Sequence, residues 1–306
     1  MSELIPGGYA LLDSGGMAKL ERFGARIISR PSSQAVWKRQ LGSVDWSAVD
    51  AKYDPDSGWR FKADSFEEWD AEILGIMIRL RLQRNGQVGL FPEHANYLPA
   101  VARDIAECAA ADPGSSPRVL NLFAYTGMAS VFCAKAGAQV THVELQRSAI
   151  GWAEQNVAIN TIPGDRMRYI EDDAVKFVSR EVARGARYDI VIADPPSFSR
   201  ISKNKEWQLD ETLPGLASEC VKLVQPTSAG GKLGAVYFTC HHPAFGAQTI
   251  MNLFRDACDS HGGVLLAEGQ INSVQIEPLD LNIPEQDGQR KLPAGQGATI
   301  RGIAKS

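Results

Sequence analysis

The sequence has no apolar run long enough to cross a bilayer as a helix. Nothing at Met1-Ser2-Glu3 reads as a secretory signal. Its five cysteines, Cys108, Cys133, Cys220, Cys240 and Cys258, form no C-x-x-C pair. The expectation is a cytoplasmic protein with reduced thiols. The five histidines show no metal-ligand spacing, and no metal is expected. A net charge of −4 excludes a surface coated uniformly with positive charge, although it leaves room for a local basic patch. There is no internal repeat and no low-complexity tract. The dinucleotide fingerprint G-x-G-x-x-G is missing, which speaks against a nicotinamide-dependent oxidoreductase.

What is present is a soluble, globular composition: 306 residues, 44% hydrophobic and 22% charged, enough for one large or two modest domains. The chain is organised around Arg118–Gly127. Val119–Phe123 reads as a short buried strand that breaks into a tight turn at Ala124-Tyr125-Thr126-Gly127. A helix from Met128 to Lys135 follows at once. Turn amides and the positive end of a helix dipole then face whatever lies above the strand, which is how a sheet cradles a nucleotide.

From there strands and helices alternate. Strands are expected at Gln139–Val143, Met167–Ile170, Tyr188–Ala193, Leu233–Thr239 and Val264–Glu268, and helices at Arg147–Ile159, Ala174–Ala183, within Glu211–Val224 and at Gln248–Ser260. This pattern predicts an α/β, doubly wound, mostly parallel sheet. A last strand at Thr299–Ala304 follows the Pro-, Gly-, Gln- and Asp-rich span 270–297 with no intervening helix, so it should enter antiparallel.

Residues 1–90 read as a separate, small, β-rich module and 91–306 as the main domain. Lys19–Arg39 carries six basic residues against one acid, and Asp45–Glu72 nine acids against three bases, so charge is sorted along the module. Ile76, Ile78, Leu80 and Leu82 alternate with Met77, Arg79, Arg81 and Gln83, and Asn85-Gly86 is a turn signal. A hairpin returning through Gln87–Phe91 is expected, with an arginine face that is either solvated surface or a phosphate contact.

The chemistry-bearing residues fall at strand ends. Glu144 ends the second strand of the sheet, where a nucleotide-binding sheet places an acid for ribose hydroxyls. Asp172 and Asp173 end the third, where a carboxylate can take an adenine amino group, and their adjacency leaves the choice between them open. Asp194-Pro195-Pro196-Ser197-Phe198 ends the fourth, offering a carboxylate, rigid proline carbonyls and an aromatic face for a base.

Together, Asn121–Gly127, Glu144, Asp172-Asp173 and Asp194–Phe198 resemble the motifs of class I S-adenosylmethionine-dependent methyltransferases. More narrowly, they resemble those of the bacterial group that methylates large-subunit ribosomal RNA. The resemblance covers roughly Gly89 to the C-terminus. It implies a Rossmann-like sheet of seven strands, bound S-adenosylmethionine and an RNA partner. By position, Asn121, Phe123, Ala124, Tyr125, Thr126 and Gly127 would line the methionine part, Glu144 and Leu145 the ribose side, and Asp172 or Asp173 with Ala174 the adenine. Asp194 would lie by the methyl group, with Pro195, Pro196 and Phe198 beside the target base. Glu93-His94 stand where the family closes over the cofactor, without its arginine, since position 95 is Ala. Two signals for the target atom conflict. Cys240 sits where cytosine-C5 methyltransferases carry a thiol, whereas Asp194–Ser199 looks more like a guanine-N7 methylating domain. A protein or small-molecule substrate and a non-catalytic RNA-binding module are the other readings.

Overall fold

A computed structural model of the chain describes residues 8–63, 66–197, 200–202, 205–206, 209–224, 234–260 and 271–304. It divides into two compact units: residues 1–95 with 158–160 and 282–294, and the remainder.

In the first unit, β1 (Tyr9–Gly15), β2 (Ala18–Phe23) and β3 (Arg26–Pro31) form an antiparallel meander. After the short helix α1 (Ser43–Ser47), β4 (Ala51–Asp54) joins β3 in parallel and β5 (Gly58–Phe61) closes the sheet. A separate hairpin pairs β6 (Glu68–Ile73) with β7 (Ile76–Arg81). The expected turn at Asn85-Gly86 is also present, with Gln83 N–H donating to the Gln87 carbonyl (2.9 Å) and Arg81 N–H to the Val88 carbonyl (3.1 Å), but residues 87–91 form no strand, and the strand that pairs with β7 in the hairpin is β6. The hairpin turn is Leu74-Gly75, both at positive φ (50° and 74°), as a primed turn requires. Leu is a poor residue for that conformation, so the turn carries no sequence signal. The alternation of β7 does hold: Ile76, Ile78 and Leu80 are buried. Opposite them, Arg79 pairs with Asp70 and Arg81 with Glu68 across the hairpin.

The second unit is the α/β sheet. Its elements are α2 (Leu98–Ala111), β8 (Arg118–Leu122), α3 (Met128–Lys135), β9 (Gln139–Glu144), α4 (Arg147–Ile159), β10 (Met167–Glu171), α5 (Ala174–Ala183) and β11 (Ile190–Ala193). They continue through the short strands β12 (Arg200–Ser202) and β13 (Lys205–Glu206), α6 (Leu209–Leu223), β14 (Ala235–Cys240), α7 (Ala247–Ser260), and the strands β15 (Ile271–Pro284) and β16 (Lys291–Ala304), of which residues 282–294 belong to the first unit. The seven-stranded sheet runs β10-β9-β8-β11-β14-β16-β15. The pairs from β10 through β14 are parallel, and β16 is antiparallel to β14, as expected for the last strand. The expected strand at Val264–Glu268 lies outside the described residues. The Pro-, Gly-, Gln- and Asp-rich span 270–297 is largely the hairpin β15–β16, which turns at 285–290.

Strands covered by helices on both faces read as continuous apolar runs. In β8, Val119, Leu120 and Leu122 are fully buried, and all of β11 is buried. The helices present apolar residues three and four apart: Ala174, Phe177 and Val178 in α5, Ile250, Phe254 and Ala257 in α7. Leu120, Leu122, Val191, Phe238, Phe254 and Leu216 share one core, each contributing about 1.5–3 kcal/mol by leaving water. Where β8 switches from its neighbour β9 to its neighbour β11, the helices change sides. The crevice at such a switch point is where ligands bind these sheets.

Candidate active site

The turn after β8 is strained and held. Phe123 (φ 55°) and Tyr125 (φ 48°) occupy the left-handed region, which costs an L-residue about 1–2 kcal/mol each. Hydrogen bonds from the neighbouring strand and helix hold the turn in place. Ala124 N–H donates to the Val143 carbonyl (3.0 Å), Tyr125 N–H to Glu144 Oε2 (2.9 Å), and Asn156 Nδ2 to the Thr126 carbonyl (2.8 Å). Gly127 opens α3 at φ 86°, and a Cβ there would stand 2.8 Å from that of Ala153. Glycine is therefore needed both for the backbone and for the approach of α3 to α4.

Beneath the turn runs a buried polar chain. Asn121 Nδ2 donates to Ser130 Oγ (2.8 Å), which lies 3.0 Å from His142 Nδ1. His142 is fully buried, and burial pulls its pKa down to about 4, so the imidazole is neutral at pH 7. Asn121, expected to line the ligand, is itself buried and bonded to Ser130. Its amide supports the turn from below.

The acids stand as an edge. Glu144 ends β9 with each carboxylate oxygen on a backbone amide, Oε2 on Tyr125 and Oε1 on Gln146 (2.9 Å each). A carboxylate has about four acceptor sites, so two hydroxyls of a ligand still fit. Leu145 beside it is one of the few exposed large hydrophobics among the described residues. Asp172 takes the amide of Asp173 (2.8 Å) and pairs with Arg180. Asp173 caps α5, accepting from Val175 and Lys176 N–H (3.0 and 3.1 Å) through Oδ1 alone. Ala174 is buried at the first turn of that helix. Turn amides at a helix N-terminus followed by two carboxylate positions match a ligand with an ionic tail, vicinal hydroxyls and an amino group.

Asp194 follows β11, half-buried, with Pro195 buried and Pro196 partly so. Thr239 Oγ1 donates to Asp194 Oδ1 (2.5 Å), and His241 Nε2 lies 3.1 Å from the same oxygen. Phe198 lies outside the described residues. His94 is buried in the first unit, stacked on Phe91 at 5.7 Å.

The surroundings of Cys240 do not suit a nucleophile. It is 1% exposed and packed in the main core, and burial pushes its thiol up, aided by the nearby Asp194 charge. An activated thiol needs the opposite environment: partial exposure and a lowered pKa. Its neighbours in sequence, Thr239 and His241, were missed. They face the other way from Cys240 along the strand, and the one available signal was a pair of histidines directly after an apolar strand.

Known proteins place this architecture. Residues 23–228 match the family model described as S-adenosylmethionine-dependent methyltransferase. A solved structure, the SAM-dependent methyltransferase of Agrobacterium tumefaciens, superposes with a TM-score of 0.81 at 31% identity, covering 98% of this chain and 92% of that one. Ribosomal RNA large subunit methyltransferase K of Neisseria meningitidis serogroup B is 27% identical over 192 residues, covering 48% of this chain and 52% of the relative. Ribosomal RNA large subunit methyltransferase K/L of Shewanella baltica is 33% identical over 157 residues, covering 50% of this chain and 20% of the relative. The chain thus spans from a fifth to about half of the length of these curated relatives. With its sheet, its strand-end acids and two thirds of its length matched by one family model, the chain belongs to the S-adenosylmethionine-dependent methyltransferases.

Proposed function

We propose that this protein transfers a methyl group from S-adenosylmethionine to a base of large-subunit ribosomal RNA. The observation that carries the reading is Asp194-Pro195-Pro196 at the end of β11, next in the sheet to the turn and acids that suit the cofactor. Curated relatives that act on ribosomal RNA support the choice of substrate.

The donor set fits the cofactor. Turn amides at Ala124–Gly127 would hold its amino-acid end, Glu144 its ribose hydroxyls, and Asp172 or Asp173 its adenine amino group, with Leu145 against the adenosine. When bound, the cofactor supplies a methyl group already activated on a sulfonium. The protein then has to align the target atom and exclude water, without itself becoming covalently bonded. Asp194 would accept a hydrogen bond from the target base, and the two prolines would keep that segment from relaxing. The buried Cys240 plays no part in this scheme.

Labelled S-adenosylmethionine incubated with ribosomal RNA from a strain lacking this protein tests the reading. Label should enter large-subunit RNA, and RNA from the parent strain, already methylated, should take none. Equal labelling of both RNAs, or of neither, contradicts it.

A further inference from the structure

Between β3 and β4 the first unit carries a segment, residues 32–48, that is exposed over most of its length yet firmly held. Buried Asp13 takes the backbone amides of Gln40 and Leu41 (3.1 and 3.0 Å) and the Trp46 Nε1–H (2.8 Å) on one oxygen, Oδ2. Trp37 Nε1 donates to the Ser14 carbonyl (2.9 Å), and Arg290 to the Lys38 carbonyl (2.8 Å). The Gly15-Gly16 turn lets the segment come this close, since a Cβ on Gly15 would stand 2.6 Å from the Arg39 backbone nitrogen. Arg39 is fixed in consequence. Its guanidinium carbon lies 3.8 Å over the Trp46 ring, and its Nε donates to the Gly15 carbonyl (3.3 Å). Trp46 is buried beneath it while Arg39 is exposed, so the far face of the guanidinium is open to water. Lys38 is exposed as well, and among the described residues neither cation is paired with an acid. Asp45, the one acid of the segment, accepts the Gly42 amide instead (3.1 Å). Val36 and Val44 on the same segment are 73% and 76% exposed, and exposed Met17 is tied to it through its amide on the Ala35 carbonyl (2.8 Å).

We propose that this segment is a docking site for single-stranded RNA, in which an unpaired base lies on the open face of the Arg39 guanidinium and Lys38 takes a neighbouring phosphate. A flat cation with one face free is a stacking surface for a nucleobase, and RNA offers free base faces only where it is unpaired. The Trp46 ring below holds the plane in place by a cation–π contact, so little freedom remains to be lost on binding. The unmatched charge of Lys38 and Arg39 favours a polyanion over an apolar protein face. In this the segment differs from the β7 face, where Arg79 and Arg81 already meet acids. The exposed valines suit the apolar faces and edges of splayed bases. The site takes its partner, RNA, from the proposed function and rests on it to that extent.

The test is the binding of a labelled single-stranded RNA of mixed sequence, and of the same ribose–phosphate chain without bases, read by fluorescence anisotropy across a salt series without S-adenosylmethionine. Wild type should bind the intact strand more tightly. Arg39→Lys keeps the charge and loses the plane. It should weaken the intact strand by roughly tenfold, the scale of one stacked base, with little effect on the baseless chain or on the salt slope. Lys38→Ala, a change on an exposed side chain that the fold tolerates, should weaken both strands alike and reduce the salt slope by about 0.7, one phosphate's share in a single strand.

Arg39→Lys that binds the intact strand like wild type, a wild type indifferent to the presence of bases, or a salt slope unchanged in Lys38→Ala overturns the proposal. So does a wild-type dimer in sedimentation that dissociates on Val36→Glu or Val44→Glu, which would give the face to a second copy of the chain. Methyl transfer is measured separately. Wild type that methylates ribosomal RNA but shows no loss in Arg39→Lys sinks the docking site alone, and wild type that binds as described but methylates no RNA sinks the proposed function alone.

Discussion

Glu144 ties the end of β9 to the strained turn after β8 and presents a carboxylate to the crevice at the same point. Glu144→Ala should weaken S-adenosylmethionine binding by about 1.5–3 kcal/mol, the range of hydrogen bonds to a charged group. Calorimetry showing unchanged affinity would remove Glu144 from the ribose. Cys240→Ala should keep most methyl-transfer activity, and no covalent complex should form with fluorinated cytosine RNA, because the thiol sits in the core. A trapped complex that vanishes in this variant would restore the thiol mechanism. His142 makes stability depend on pH. Its folded pKa, about 4, lies below the usual 6.5, so below 6.5 the unfolded chain binds the extra proton. Stability should therefore fall by about 3 kcal/mol between pH 6.5 and 4 on this residue's account, and His142→Gln should flatten that part of the profile in urea titrations. Glu144 and Asp194 were legible in the sequence because an acid directly after an apolar run is conspicuous. Thr239 and His241 were not, because their partner is set by the register between two strands some fifty residues apart.

In the proposed function, cofactor binding depends on the turn Phe123–Gly127. Gly127→Ala forces a Cβ against Ala153 at a backbone angle that disfavours it, so it should cost about 1–3 kcal/mol of stability and loosen cofactor binding with it. Thermal unfolding followed with and without S-adenosylmethionine reads both effects, and a variant unchanged in both would show that the turn tolerates rearrangement. The turn's position was legible from the small residues that end the strand. Its strain at Phe123 and Tyr125 was not, since neither residue advertises a left-handed backbone. The same reason hid the Leu74-Gly75 turn and, with it, the strand partner of β7. That partner, β6, brings Asp70 and Glu68 against Arg79 and Arg81. An arginine face already matched by acids adds little net charge toward a phosphate backbone. Replacing both arginines with Ala should accordingly change the salt slope of RNA binding by less than about one, where two unmatched phosphate contacts would change it by about two.

At the scale of the whole molecule, alternating apolar strands and amphipathic helices were enough to read the sheet. α3, α4 and α5 fall on the residues expected, because covered parallel strands and their crossover helices have strong periodic patterns. The fate of 282–294 was not legible. This polar, proline- and glycine-bearing stretch joins the N-terminal unit, where Arg290 bridges the buried acids Asp13 (2.7 Å) and Glu285 (2.8 Å) and Glu285 holds Ser14. Such a tie depends on two ends of the sequence meeting, which local pattern does not encode. Arg290→Ala leaves both carboxylates buried without that cation and should cost about 2–4 kcal/mol, less than a fully buried pair because the arginine is partly exposed. Unfolding monitored at Trp37 and Trp46, which both bond into this cluster, would detect it, and an unshifted midpoint would reduce the tie to surface decoration. The account as a whole turns on Asp194 at the edge of a methyltransferase sheet. The most direct measurement is methyl transfer to large-subunit ribosomal RNA by wild type and Asp194→Ala, with cofactor affinity measured on the same samples. The account predicts transfer by wild type, a loss of turnover by orders of magnitude in the variant, and nearly equal affinity for S-adenosylmethionine in both. Equal turnover by the two proteins, or no transfer to RNA by wild type that binds the cofactor, would contradict it.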